Sequence, residues 1–261
     1  MQRTPIAICP EEFPAALQPF LEGAAVFDSS CSPAARVYYL EKDAGFYLKT
    51  APKGTLQREA DLTAFFHSKG LGARVLHYET ADRDFLLTAR IVGEDCIDPM
   101  YLSDPKRLCD TTAALLRSLH ETDFAGCPVP NRTGEYLARA RENYEKQAYD
   151  MALFPDNWGY ATPEEAWRVV AENGKYLQND TLLHGDYCLP NIMLNNWNFS
   201  GFIDVDSGGV GDRHVDLFWG LWSLQFNLKT DLYRDRFLDA YGRDKVEEEK
   251  LRTVAAVEVF G

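Results

Sequence analysis

The chain has 261 residues, 46% apolar and 26% charged, enough to bury a core in one large domain or in two lobes sharing a cleft. Lys and Arg total 27 against 40 Asp and Glu, a net charge of −13: such a surface repels nucleic acid and anionic membrane and would attract a cationic small molecule, or it serves solubility alone. Six cysteines without C-x-x-C or zinc-ligand spacing, and a leading MQRTPIAICPEEF without a signal-like apolar run, predict reduced, mostly buried thiols in a cytoplasmic protein with no membrane span.

The first 90 residues carry strand signals. Residues 35–40 and 45–49 are β-branched or aromatic runs separated by Glu41-Lys42-Asp43-Ala44, which predicts a hairpin. Residues 55–69 lack Gly and Pro and stop at Gly70, which predicts a helix. Residues 75–78 and 85–88 read as a second strand pair, giving a β-β-α-β-β lobe with an antiparallel sheet. A linker near residues 90–99 follows. Asp104-Pro105 opens a helix to His120, residues 134–150 have helical character, and Thr162-Pro163-Glu164-Glu165 forms a capping box before another helix. Short strand-like pieces at 181–183, 192–194 and 199–203 interrupt this region, and helices resume from Val215. The expected organisation is an α+β chain with a small antiparallel β-rich lobe over residues 1–92 and a larger, mainly helical lobe over 93–261.

One set of residues has the order that phosphoryl transfer from ATP requires. A strand lysine paired with a helix glutamate can hold phosphates, and Lys49 ends a strand run with Glu59 ten residues on. HGDYCLPN at 184–191 places Asp186 in a loop after a short strand. Asn191 follows it by five, the D-x-x-x-x-N spacing of a carboxylate at the acceptor hydroxyl and an amide at magnesium. Asp204 ends Gly201-Phe202-Ile203, and a hairpin over 192–203 would return it to the end where Asn191 lies. Singly, each residue has a plain structural reading, such as a solvated lysine or a Gly-Asp turn. The order and spacing together favour the catalytic one. His184 reads as a brace for the loop rather than a proton carrier.

On these motifs the chain resembles the aminoglycoside phosphotransferase family, in particular its 3′-phosphotransferases. The segments are Ser32–Tyr38, YLK at 47–49, RE at 58–59, LLTARIVGEDC at 86–96, LLHGDYCLPNIM at 182–193 and FSGFIDVDSGGVGDRHVD at 199–216. The resemblance implies a protein-kinase-like two-lobed fold that moves the γ-phosphate of ATP to a hydroxyl. It implies Ser32 in the loop over the phosphates, Lys49 on them and Glu59 holding Lys49. Tyr47 would stack on adenine, backbone groups of Ala89 and Ile91 would bind its edge, and Ile203 would close the pocket. Asp186 is implied as base or hydroxyl-orienting group, with Asn191 and Asp204 on Mg²⁺. Asp156, Glu258 and Phe260 are implied at the cationic acceptor, although VAAVEVF at 254–260 also reads as simple helix packing.

The acceptor half departs from the family. Ser207 and Trp222 stand where the family has arginines near the substrate, and Gly159 stands where an acidic residue is expected. An alternative reading is therefore a kinase of the same fold acting on another small hydroxyl metabolite, an amino alcohol or a sugar. Thr88 is small enough at the back of the nucleotide pocket to leave GTP open as a donor.

Overall fold

The computed structural model describes residues 3–31, 33–150 and 157–261. Contacts divide the chain into two compact units, Met1–Asp95 with Ile192–Asp206, and Cys96–Asn191 with Ser207–Gly261.

The first unit is built on a six-stranded antiparallel sheet. Its strands are β1 (Thr4–Pro5), β2 (Ala25–Asp28), β3 (Arg36–Glu41), β4 (Phe46–Pro52), β5 (Val75–Thr80) and β6 (Arg83–Ala89), in the order β1-β2-β3-β4-β6-β5. The two predicted strand pairs are present, and β1 and β2 extend the sheet beyond them. Register explains how it carries function. Tyr38, Leu48 and Leu87 lie opposite one another and are buried in a core with Leu17, Leu40 and Phe85. Side chains alternate faces with period two. The neighbouring rows, Val37–Lys49–Leu86 and Tyr39–Tyr47–Thr88, must then point the other way. Burying Leu48 is what presents Tyr47 and Lys49.

Helix α1 (Gln18–Leu21) precedes β2, and helix α2 (Gln57–Ser68) follows β4. Asp84 caps its start by accepting from the N–H groups of Gly54 at 2.9 Å and Leu56 at 2.8 Å. It ends at Gly70, whose φ of 73° suits a residue without a side chain, while the Leu71 N–H bonds back to Phe66 O at 2.9 Å. Glu59 sits in the first turn, where the helix dipole favours a carboxylate.

The predicted hairpin over 192–203 forms from β9 (Ile192–Asn195) and β10 (Asn198–Phe202), joined through Asn196 and Trp197, both with positive φ. The expected lobe boundary places this segment with residues 93–261. Its contacts instead fall in the first unit, for two local reasons. The short strand β7 (Glu94–Asp95) pairs with β9, and Phe202 donates its N–H to Leu71 O at 2.7 Å while its ring meets Phe66 edge-on.

The second unit is mainly helical: α3 (Pro99–Leu102), α4 (Pro105–His120), α5 (Arg132–Glu145), α6 (Pro163–Asn173), α7 (His214–Leu228), α8 (Arg234–Tyr241) and α9 (Glu248–Glu258). Asp104 caps α4 and Thr162 caps α6 through side-chain oxygens, as their sequence positions predict. A small ladder joins β8 (Thr181–Leu183) to β11 (Gly209–Gly211), a strand whose Gly-Val-Gly sequence carries no strand signal. The core gathers Tyr136, Val170, Leu183, Val215, Val254, Val257 and Phe260. All six cysteines are free, and Cys96 and Cys109 are buried. Cys9 and Cys31 are exposed, so the thiols are less buried than expected. No helix among the described residues is long and apolar enough to cross a membrane.

Candidate active site

In the first unit, Lys49 Nζ lies 2.9 Å from Glu59 Oε1, 2.7 Å from Glu59 Oε2 and 3.5 Å from Asp204 Oδ1. Burial alone would lower the Lys49 pKa. The carboxylates of Glu59 and Asp204 outweigh it and hold the lysine above its ordinary pKa, so it is a permanent cation. Glu59 is shielded, with 9% of its side chain exposed, whereas Asp204 is 56% exposed. The hairpin register pairs Ile192 with Phe202, so Asp204 emerges at the end where β9 begins. Its φ of 53° turns the backbone out of the strand there. Lys49 and Glu59 thus pair, as their spacing predicts, and Asp204 joins them.

Tyr47 occupies the same sheet face, two residues from Lys49. With Ile91, Glu94, Asp95 and Met193 it lines a cavity of about 150 Å³. The Ala89 N–H is spent on Arg74 O at 2.9 Å, while the Ile91 N–H has no partner among the described residues. Ile203 follows β10, partly buried.

In the second unit, the loop after β8 is pinned from its ends and from beneath. Asp216, fully buried on α7, accepts from the N–H of His184 and the N–H of Gly185, each at 2.7 Å. His184 Nδ1 accepts the Asp186 N–H at 3.3 Å, Ser223 Oγ accepts the Leu189 N–H at 2.9 Å, and Tyr187 donates to Thr112 O at 2.7 Å. Gly185 has φ 85°, and a Cβ there would lie 1.9 Å from Ser207 O, so no other residue fits. Within this frame Asn191 Nδ2 donates to Asp186 O and to Asp186 Oδ2, both at 2.9 Å. The amide nitrogen is committed to Asp186, leaving Oδ1 as the free acceptor. Cys188, close by, stays a thiol: burial and the Asp186 charge push its pKa far up, which excludes it as a nucleophile.

Glu258, at the end of α9, accepts from Tyr136 Oη at 2.6 Å and Trp219 Nε1 at 3.0 Å. Burial raises its pKa to about 7, the two hydrogen bonds and Arg132 pull it down, and Asp186 adds an upward push. Phe260 corrects the sequence reading. Its side chain is fully buried against Tyr144, Tyr149 and Trp167, at ring distances of 5.3–5.9 Å, so it packs α9 rather than facing a ligand. Ser32 and Asp156 lie outside the described residues. A cavity of about 480 Å³ lies elsewhere in this unit, lined by Trp158, Phe218, Trp222, Arg234 and Arg252 but not by Asp186, Asn191 or Glu258.

Asp216 and His120 were not singled out from sequence. His120 Nε2 lies 3.2 Å from Asp216 Oδ2, and its Nδ1 lies 2.8 Å from Tyr241 Oη. Burial lowers the His120 pKa, so the ring is neutral. A carboxylate only accepts, which puts the proton on Nε2 and makes Tyr241 the donor to Nδ1. An aspartate inside the mostly apolar HVDLFWGLWSL was the available signal, since buried aspartates are nearly always paired.

Residues 33–253 match the phosphotransferase enzyme family. A probable aminoglycoside 3′-phosphotransferase of Lactococcus lactis subsp. lactis (strain IL1403) is 49% identical over 252 residues, covering 96% of each chain. An aminoglycoside 3′-phosphotransferase of Niallia circulans is 30% identical over 230 residues, covering 86% of this chain and 87% of that one. Among solved structures, an aminoglycoside phosphotransferase of Streptomyces rimosus in complex with ADP and streptomycin matches with a TM-score of 0.71 at 22% identity, covering 95% of this chain and 99% of that one. At that identity the likeness establishes the fold.

Proposed function

The chain belongs to the phosphotransferase enzyme family, and from that membership we propose that it moves the γ-phosphate of ATP to a hydroxyl of an aminoglycoside, in the manner of a 3′-phosphotransferase. The observation that carries the reading is the Lys49 ammonium held between Glu59 and Asp204, a fixed cation on the sheet face beside an exposed carboxylate. ADP in the Streptomyces rimosus relative supports a nucleotide donor, and streptomycin there supports an aminoglycoside acceptor.

Each residue then has a task. Lys49 grips the donor phosphates and Glu59 keeps it aimed. Tyr47 gives adenine a stacking face, with the unpaired Ile91 N–H free to bond the base edge. Asp186 accepts or orients the acceptor hydroxyl proton, its carboxylate held by Asn191. Asn191 Oδ1 and the Asp204 carboxylate are each hard oxygen donors, the type magnesium prefers, and either would serve as a ligand to it. Bound magnesium supplies charge neutralisation at the phosphate oxygens. Glu258 offers a carboxylate to an acceptor ammonium.

A phosphate-transfer assay across an aminoglycoside panel tests the function. Turnover is expected with substrates carrying a 3′-hydroxyl and not with 3′-deoxy analogues. Transfer to amino alcohols or sugars, with none to any aminoglycoside, would assign the alternative acceptor class.

Glu258 makes the acceptor affinity depend on pH. Its folded pKa, about 7, lies above the ordinary 4.5, so the fold favours the protonated form. That contribution to stability is complete below pH 4.5 and is lost as pH rises to about 7. An ammonium binds the ionised form, so KM for the acceptor should fall as pH rises toward 7 and then level off. Glu258→Gln should abolish this inflection and raise KM at pH 8 by roughly 10- to 100-fold, the worth of one charge-assisted hydrogen bond. An unchanged KM–pH profile in the variant would remove Glu258 from the acceptor site.

A further inference from the structure

We propose that Arg3 is a nucleoside-positioning residue, delivered by the leading strand to the Tyr47 face. The proposal rests on the nucleotide reading of that face and adds to it a residue that none of the motifs includes.

The arm that carries Arg3 is anchored. Thr4 and Pro5 pair with Asp28 and Phe27, the Ile6 N–H bonds to Val26 O at 3.0 Å, and Ile6 and Ile8 pack on the core of the first unit. From this anchor the Arg3 guanidinium carbon lies 3.7 Å from the centroid of the Tyr39 ring, and Nη2 donates to Tyr47 Oη at 2.9 Å. Tyr39 and Tyr47 are cross-strand partners with ring centroids 5.2 Å apart. A single planar cation therefore stacks on one tyrosine and fixes the hydroxyl of the next.

Arg3 also lines the 150 Å³ cavity with Tyr47, Arg90, Ile91, Glu94 and Asp95. A guanidinium has five N–H donors in a rigid fork, and one is used on Tyr47. The others suit a ligand rich in neutral acceptors. A nucleoside is such a ligand, with ring nitrogens on the base and oxygens on the ribose. Its base also presents an aromatic face to a stacked cation. Lys49 lies two residues along the same strand from Tyr47 and is already committed to charged partners. Phosphate recognition thus falls to Lys49 and nucleoside recognition to Arg3 with Tyr47.

Calorimetric titration with ATP and separately with adenosine tests this in Arg3→Ala, Arg3→Lys and Tyr47→Ala. Arg3→Ala should weaken both ligands by a similar factor, about 5- to 30-fold. It should leave the acceptor KM and the melting temperature unchanged. Arg3→Lys should recover little of the loss, because an ammonium neither stacks as a plane nor forks. Retained affinity for both ligands in Arg3→Ala, or a loss confined to ATP, overturns the proposal. If Tyr47→Ala weakens ATP and Arg3→Ala does not, Arg3 alone is excluded. If neither does, the nucleotide reading of the face falls with it.

Discussion

Replacing Asp186 with asparagine should lower the rate of phosphate transfer by about 10²- to 10⁴-fold and leave ATP affinity within a few-fold. Asparagine is nearly isosteric, and the loop that carries residue 186 is held by backbone bonds and by Asp216, none of which the substitution touches. The change removes an ionised oxygen able to take or orient a hydroxyl proton. It also sets an amide against Asn191 Nδ2, which now donates to Asp186 Oδ2 at 2.9 Å. The nucleotide contacts proposed for Lys49 and Tyr47 lie on a different element and stay intact. Steady-state kcat with an aminoglycoside acceptor, alongside calorimetric ATP binding, separates the two effects. A loosely bonded phosphoryl transition state asks little of a base. A loss below about tenfold would therefore assign the barrier lowering to positioning and metal electrostatics, and would refute the role given to Asp186.

Much of this was legible because it rests on short-range rules. RVYYLE and FYLKTAP read as strands from their aromatic and β-branched content, and side chains along a strand alternate faces, so Lys49 and Tyr47 fall opposite buried Leu48 by necessity. The D-x-x-x-x-N spacing is local, and its product is the Asn191–Asp186 bond. What could not be read is long-range. Gly-Val-Gly at 209–211 is a strand only because β8 lies beside it. Thr4-Pro5 is too short to signal a strand, yet it carries Arg3 to Tyr47. Hairpin 192–202 joins the first unit through a two-residue strand and one phenylalanine. Phe260 was read through a family role, and only its aromatic neighbours reveal it as packing.

Asp216→Asn should be the most damaging substitution that touches no ligand. The Asp216 carboxylate is fully buried, with one oxygen for each of two loop N–H groups and His120 on the same side as the first. An amide keeps one acceptor and turns a donor toward the other N–H, leaving at least one buried donor unpaired. An unmade buried hydrogen bond costs about 1–3 kcal/mol. The neutral His120 also loses the acceptor for Nε2–H if the amide nitrogen takes that side. The total should be roughly 2–4 kcal/mol, read as a lower denaturant midpoint at unchanged slope. The catalytic consequence is separate. Gly185 is confined by Ser207 O and cannot absorb a shift, so relaxation of the His184–Gly185 segment passes directly to Asp186. At a temperature where the variant is fully folded, kcat should fall at least tenfold, while metal-free ATP affinity, for which only first-unit residues are proposed, should hold. His120→Gln, which can still donate to Asp216, should lose stability without a comparable fall in kcat, because it leaves both loop bonds in place. Wild-type kcat in folded Asp216→Asn would show that the loop keeps Asp186 aimed without the buried carboxylate.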